Sequence, residues 1–253
     1  MQRWFSLVAL GILLVGWPSS FAAQPPDISG AWAHLQVTSS LTNAPVLGTI
    51  NLKTITTLRL EVTQKGTDLS IVFEPCAVES ESSSPFFKVI FPEAFVKYMG
   101  IDTKPARLEA VGNEWRLFQP RYTIVRGVRL QDPERDPLPT DPNDPRIFDQ
   151  DKDGKPGMTI RVSVLGIIEG EIYIIQRDWN SLRSTVLTPT IIDGLIEWGS
   201  EQVVLGASNP LLAGQSENTP DPKPENSYFR TTRISANTDC AQILKERDKL
   251  FAR

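Results

Sequence analysis

Leu58-Arg59-Leu60-Glu61-Val62-Thr63-Gln64-Lys65-Gly66-Thr67-Asp68-Leu69-Ser70-Ile71-Val72-Phe73 is the stretch that decides the fold. Leu58, Leu60 and Val62 alternate with Arg59, Glu61 and Thr63, the period of a half-buried strand. Lys65-Gly66-Thr67-Asp68 turns the chain, and Leu69, Ile71 and Phe73 return it as a second strand, so a hairpin is predicted. The same pattern recurs outward in both directions. Leu108 to Val111 and Glu114 to Phe118 flank Gly112-Asn113, a two-residue turn that tolerates positive φ. Upstream, Ala31, Ala33, Leu35 and Val37 share one strand face, while Trp32, His34 and Gln36 share the other. Phe86 to Phe91 reads as a strand, and Pro92 to Met99 as a short helix.

Downstream, Tyr122 to Leu130, Met158 to Leu165, Glu171 to Asp178, Leu182 to Thr188, Leu195 to Trp198, Gln202 to Leu205 and Tyr228 to Ile234 are further predicted strands, with a turn at Glu169-Gly170. The C-terminus changes period. Asp239 with Gln242 three residues on makes a capping box, and Cys240, Ile243, Leu244, Arg247 and Phe251 recur at helical spacing. Many short strands with Gly and Pro turns predict an all-β protein, an antiparallel barrel-like or sandwich domain with a C-terminal helix.

Arg3 precedes an apolar run from Trp4 to Trp17, then Pro18, Ser19, Ser20, Phe21, Ala22 and Ala23. A basic start, an apolar core and small residues define a secretory signal cut after Ala22. The run is short of the roughly 20 residues a spanning helix needs, so no membrane span is expected after signal removal. The expected layout is a signal peptide at 1–22 and a single β-rich domain at 23–253, with an acidic Pro-rich loop at 132–157 and a mobile loop at 206–226. The expected location is secreted or periplasmic. With 26 basic against 30 acidic residues and no basic cluster, the charge pattern argues against nucleic acid and anionic membrane as partners.

Asp149-Gln150-Asp151-Lys152-Asp153-Gly154-Lys155-Pro156-Gly157 is the one stretch with ligand chemistry. Ca²⁺ takes six to eight oxygens, and carboxylates at alternate positions of a tight loop converge on one centre. Asp149, Asp151 and Asp153 take ligand positions one, three and five, Gly154 makes the sharp turn, and the Lys155 carbonyl falls next. The position where a bidentate carboxylate would close the site is Ile160, and Pro156 disfavours a following helix. A missing ligand is therefore sought among Asp132, Glu134, Asp136, Asp141 and Asp144. The alternative is a solvated, turn-rich loop without metal.

Cys76 and Cys240 read most simply as one disulfide in an exported protein. The alternative, a catalytic thiol, has only His34 as a histidine partner. That sole histidine also excludes a multi-histidine zinc site. No Gly-x-Ser-x-Gly elbow and no phosphate loop occur. Glu171, Asp178 and Glu197 are acids that a glycosidase could pair, and Trp115, Trp179 and Trp198 are aromatics able to stack on a ligand or fill a core.

Two resemblances follow from these residues. Asp149 to Gly154 resembles the DxDxDG calcium loops of EF-hand, dockerin and thrombospondin-type repeats. Gly30-Ala31-Trp32 resembles the G-x-W motif of lipocalins. The lipocalin resemblance implies that Trp32 closes a barrel floor, that Arg230 or Arg233 packs across its ring, and that a disulfide joins an early strand to the C-terminal region. Three functions remain open on the sequence: a non-enzymatic carrier of a small apolar or sugar ligand, a secreted hydrolase with paired carboxylates, and an envelope structural or interaction module. An open lined cavity, two facing acids, or a filled core would separate them.

Overall fold

The computed structural model describes residues 24–44, 47–214 and 218–252. The predicted export signal lies outside the described residues. The chain is mostly strand: β1 (Gly30–Ala44), β2 (Gly48–Lys65), β3 (Asp68–Ser82), β4 (Phe87–Ile90), β5 (Asp102–Val111), β6 (Glu114–Arg126), β7 (Met158–Val164), β8 (Ile168–Leu187), β9 (Ile191–Ala207), β10 (Asn218–Pro220) and β11 (Tyr228–Arg233). Among the described residues three short helices accompany them: α1 (Glu93–Tyr98), α2 (Cys240–Lys245) and α3 (Arg247–Phe251).

Eight of these strands form a ring. β1, β2, β3, β5, β6, β8, β9 and β11 each pair antiparallel with the next, and β11 returns to β1. The barrel-like alternative thus holds over the sandwich. Such closure leaves few unpaired backbone groups at a sheet edge. β8 runs 20 residues because one of its edges serves two partners. Ile168 to Ile174 pair with β7, and Gln176 to Arg183 pair with β6. β7 and β4 therefore continue the sheet beyond the eight-strand ring, with Phe87, Met158, Ile160 and Val162 buried against Ile50, Leu52, Ile174 and Val204, while β10 pairs with the far end of β1.

The strands are longer than the sequence pattern predicts. Glu114 to Phe118 and the strand predicted from Tyr122 are one element, β6, which ends at Arg126 rather than Leu130. Pro120 interrupts the pattern, but it sits where the register shifts between Gln119 and Tyr122, so no ladder N–H is required of it. Leu182 to Leu187 likewise continues β8, and the two segments from Leu195 to Leu205 merge into β9. The turn expected at Glu169-Gly170 is inside β8, opposite Ser163 and Val162. The chain reverses earlier, at Leu165 and Gly166, whose φ angles are 57° and 67°. The segment expected as a mobile loop contains β10 and two 3-10 turns.

Each face of β1 packs as its alternation requires. Inward, Trp32 is fully buried among Leu60, Ile71, Leu108, Leu117 and Phe229, which fill one end of the ring. Its Nε1 donates to the Ile28 carbonyl at 2.9 Å. The Arg233 guanidinium lies 4.5 Å above the indole and donates to the Ser29 carbonyl at 2.7 Å, fastening the chain entering β1 over the ring's end. Arg230, the other expected partner, lies over Tyr228 instead.

Outward, Ala33, Leu35, Val37 and Ile55 form a patch covered by Ile243 and Phe251 of α2 and α3. Asp239 caps α2 as predicted: its carboxylate accepts from the Gln242 N–H at 2.8 Å, and the Gln242 side chain accepts in return from the Asp239 N–H at 3.2 Å. Cys76 and Cys240 are disulfide-bonded, so the free-thiol alternative is overturned. Cys76 is the unopposed residue where the β2–β3 register shifts, between Pro75 opposite Leu58 and Ala77 opposite Thr57. The bulge changes the phase of β3. Pro75 and Val78 face the interior, and Cys76 is released to the outer patch beneath α2.

Candidate functional site

Two arrangements with ligand chemistry stand out. The first is the acidic loop. Asp149, Asp151 and Asp153 each place a carboxylate oxygen within 4.8 Å of the others, as their spacing predicts. The loop holds them with its own amides. Asp149 accepts from the Asp153 N–H at 3.2 Å and the Gly154 N–H at 2.8 Å, and Asp153 accepts from the Lys155 N–H at 2.8 Å. Asp151 is only 2% exposed. Its Oδ2 accepts from the Thr159 N–H at 2.8 Å, and its Oδ1 is buried with no hydrogen-bond partner. Burial first, then the carboxylates of Asp153 and Asp149, push its pKa up. A buried carboxylate oxygen facing two other acids is a costly arrangement that a bound cation relieves.

The upstream acids do not join this cluster. Asp132 accepts from the Glu134 and Arg135 amides, Asp136 from those of Gln131 and Asp132, and Asp141 from that of Asn143. Asp144 is held by the Arg146 guanidinium beside it. These acids shape their own turns, which is why Asp recurs among the prolines.

Packing fixes the loop against the ring. Val128 and Leu138 join Ile175 and Val203 in a small apolar cluster beneath it. Gln150 bridges two elements: its Oε1 accepts from the Gly127 N–H and its Nε2 donates to the Tyr98 carbonyl, both at 2.7 Å. Gly157 has φ of 83°, and a Cβ there would overlap the Ile174 carbonyl of β8 and lie 3.3 Å from Ile175 Cγ2. Gly157→Ala is expected to lower stability by more than about 2 kcal/mol, since both the backbone angle and the space exclude a methyl group. Urea unfolding checks this; a loss under about 0.5 kcal/mol would show that the loop does not pack as described.

The second arrangement is a cavity of about 190 Å³ inside the ring. Side chains from β1, β2, β3, β5, β6, β8 and β9 line it, seven of the eight ring strands, and Phe95 of α1 with Met99 covers one side. Its wall is mixed. Phe73, Phe95 and Trp198 are apolar surfaces, while Gln36, Thr56 and Asn180 offer hydrogen bonds. The Trp179 side chain does not join them: on the outer face of the ring it covers Gly199, where a Cβ would sit 2.5 Å from the indole nitrogen, and the Arg121 guanidinium lies 4.1 Å over its ring. Trp198 donates to the Ser227 hydroxyl at 3.0 Å. Trp115, the third candidate aromatic, packs against the filled end of the ring instead.

Charge is present in this wall as well. Arg126 donates to Asp178 at 2.7 Å, a pair that is largely buried. Burial raises the Asp178 pKa against the opposing pull of Arg126. Lys104, only 4% exposed, lies between Phe73 and Tyr122, its ammonium 4.5 Å and 5.2 Å from their ring centres. Desolvation lowers its pKa to about 8. Sequence reasoning passed over Lys104 and Arg126, because a charged residue at alternate strand positions ordinarily marks the solvent face.

Of the three acids considered for paired catalysis, Asp178 alone lines the cavity. Glu171 pairs with Arg161 at 3.5 Å across β8 and β7, away from the cavity. His34 is buried between Phe73 and Phe229 and hydrogen-bonded to Thr231. The sequence matches no protein-family model, and no curated protein matches it. Fold and site therefore define the class on their own terms: a disulfide-linked antiparallel β ring with an interior cavity and an external triad of aspartates.

Proposed function

We propose that this chain is an exported, non-enzymatic binding protein that holds a small molecule inside its β ring and carries a structural calcium ion in the acidic loop. The observation that carries the proposal is the lined space within the ring. A structural module would fill that space with side chains, as the Trp32 end is filled. A hydrolase would set two unpaired acids across it, whereas Asp178 is engaged by Arg126. The up-and-down ring, the Arg233–Trp32 stack and the disulfide to α2 support kinship in architecture with lipocalin-like carriers. The disulfide also supports an oxidising compartment. Among the described residues no helix is long and apolar enough to cross a membrane.

In the loop, Asp149, Asp151 and Asp153 supply carboxylates, and the carbonyl of Lys155 is the proposed fourth protein oxygen. A hard, oxygen-ligated cation suits this donor set, and the unpartnered Asp151 Oδ1 supports it. With a Kd on the order of 1 mM, about 10 mM Ca²⁺ adds about 1.4 kcal/mol, or a few degrees in Tm. Asp151→Ala should abolish that response. Native mass spectrometry of the exported protein, before and after chelation, reads bound metal and any copurified ligand together. A Tm that does not move with Ca²⁺ would remove the metal from the proposal. An empty ring that also admits no apolar or amphipathic probe would remove the carrier.

A further inference from the structure

We infer that the ring cavity is built for a small organic anion, an amphipathic carboxylate whose charged end meets Lys104 and whose apolar body lies along Phe73, Phe95 and Trp198. The inference rests on the carrier reading and adds the chemical class of the ligand. Its basis is the unusual state of one side chain. Lys104 lines the cavity and is almost fully buried. An ammonium has three hydrogen-bond donors. Among the described residues it meets two aromatic faces, with no hydrogen-bond acceptor and no carboxylate at ion-pair distance. Buried charges are ordinarily paired.

The neighbouring groups explain why no protein acid fills this role. Asp178 across the cavity on β8 is bonded to Arg126 on β6. Asp102, on the same strand as Lys104, acts on it through space only, outside ion-pair distance. His34 on β1 is a neutral imidazole whose Nδ1 is bonded to Thr231. Among the described residues, therefore, Asp178 and Arg126 pair with each other, with only the Arg126 Nε left buried without a partner, and Asp102 is partly in solvent, so Lys104 is the cavity's cation with no ion-pair partner. A ligand carboxylate supplies the missing acceptor, and its apolar body accounts for the aromatic wall. A plain hydrocarbon would leave the ammonium unmatched, and a neutral sugar would accept its hydrogen bonds without balancing its charge.

Decanoate and decanol share a chain and differ in the charged end, so their affinities for the full exported protein separate the two readings. Isothermal titration calorimetry near pH 7 is expected to show decanoate binding tighter by about tenfold or more, the effect of one charge-assisted hydrogen bond. Lys104→Met, close in length and apolar, should remove that preference. In the wild type the preference should shrink as pH rises from about 7 to about 10, because the ammonium, with a pKa drawn down to about 8, loses its proton. That profile decides the matter even if the variant does not fold. Equal binding of the two probes to the wild type would overturn the anion inference and leave the carrier reading standing. If neither probe binds, both are overturned.

Discussion

Replacing Cys76 and Cys240 together by serine is expected to lower stability by about 3–5 kcal/mol while leaving the β signal in circular dichroism intact. The two residues are 164 apart in sequence, so the bond closes the chain from β3 through β11 into one covalent loop. In the chain-entropy model, denying the unfolded chain that freedom contributes about 5 kcal/mol, and measured effects commonly fall somewhat below this. The folded state should survive because α2 and α3 keep their own contacts. Ile243 is fully buried and Phe251 nearly so, against Ala33, Leu35, Val37 and Ile55. The Asp239 capping box does not depend on sulfur either. Urea unfolding of the double variant should therefore show a lower midpoint, and a larger slope if the unfolded chain expands. A loss under about 1 kcal/mol would mean that the unfolded chain already holds its C-terminal segment close to β3, so that the cross-link constrains little.

The same bond illustrates what local pattern carries. A pair of cysteines in an exported chain is readable as a disulfide without knowing the fold. So are the faces of β1, because Ala33 and Leu35 must lie opposite Trp32 and His34 on any strand. The aspartate triad was readable for a similar reason: three carboxylates at alternate positions before a glycine converge through local geometry alone. The burial of Asp151 was not, since it depends on Gly157 packing against β8 and on Gln150 reaching Tyr98. Nor was the cavity. Thr54, Thr56, Gln36 and Lys104 point inward, yet each reads as a surface residue, because the period-two signal weakens when the interior face is polar. This is why Thr38 to Thr57 yields no predicted strand, although it completes β1 and begins β2. Strand ends suffered similarly at Pro120, where a local breaker coincides with a bulge. Ring closure by β11 on β1 joins segments almost two hundred residues apart, and no short-range pattern encodes such a pairing.

Acidification should destabilise the protein through its only histidine. His34 is buried, stacked 5.5 Å from the Phe229 ring, and edge-on to Phe73. Burial first, and then the Lys104 charge, lowers its pKa from 6.5 to about 3. The unfolded chain therefore binds a proton between pH 6.5 and about 3 that the folded protein refuses. Stability falls with falling pH wherever the unfolded state binds more protons, so the contribution is lost progressively below about 6.5. From pH 7 to pH 4 this amounts to about 3 kcal/mol, and more at lower pH. Carboxylates titrate over the same range, so the comparison is with His34→Phe, which keeps an aromatic ring between Phe73 and Phe229. The difference in unfolding free energy between wild type and variant should change by roughly 3 kcal/mol across that interval, the wild type losing more. Nuclear magnetic resonance gives an independent reading, because one imidazole produces one set of ring signals. Those signals should hold their neutral positions to about pH 4 in the folded protein. A native midpoint near 6.5 would place the ring in contact with water, and with it would go the close packing that separates the filled end of the ring from the cavity.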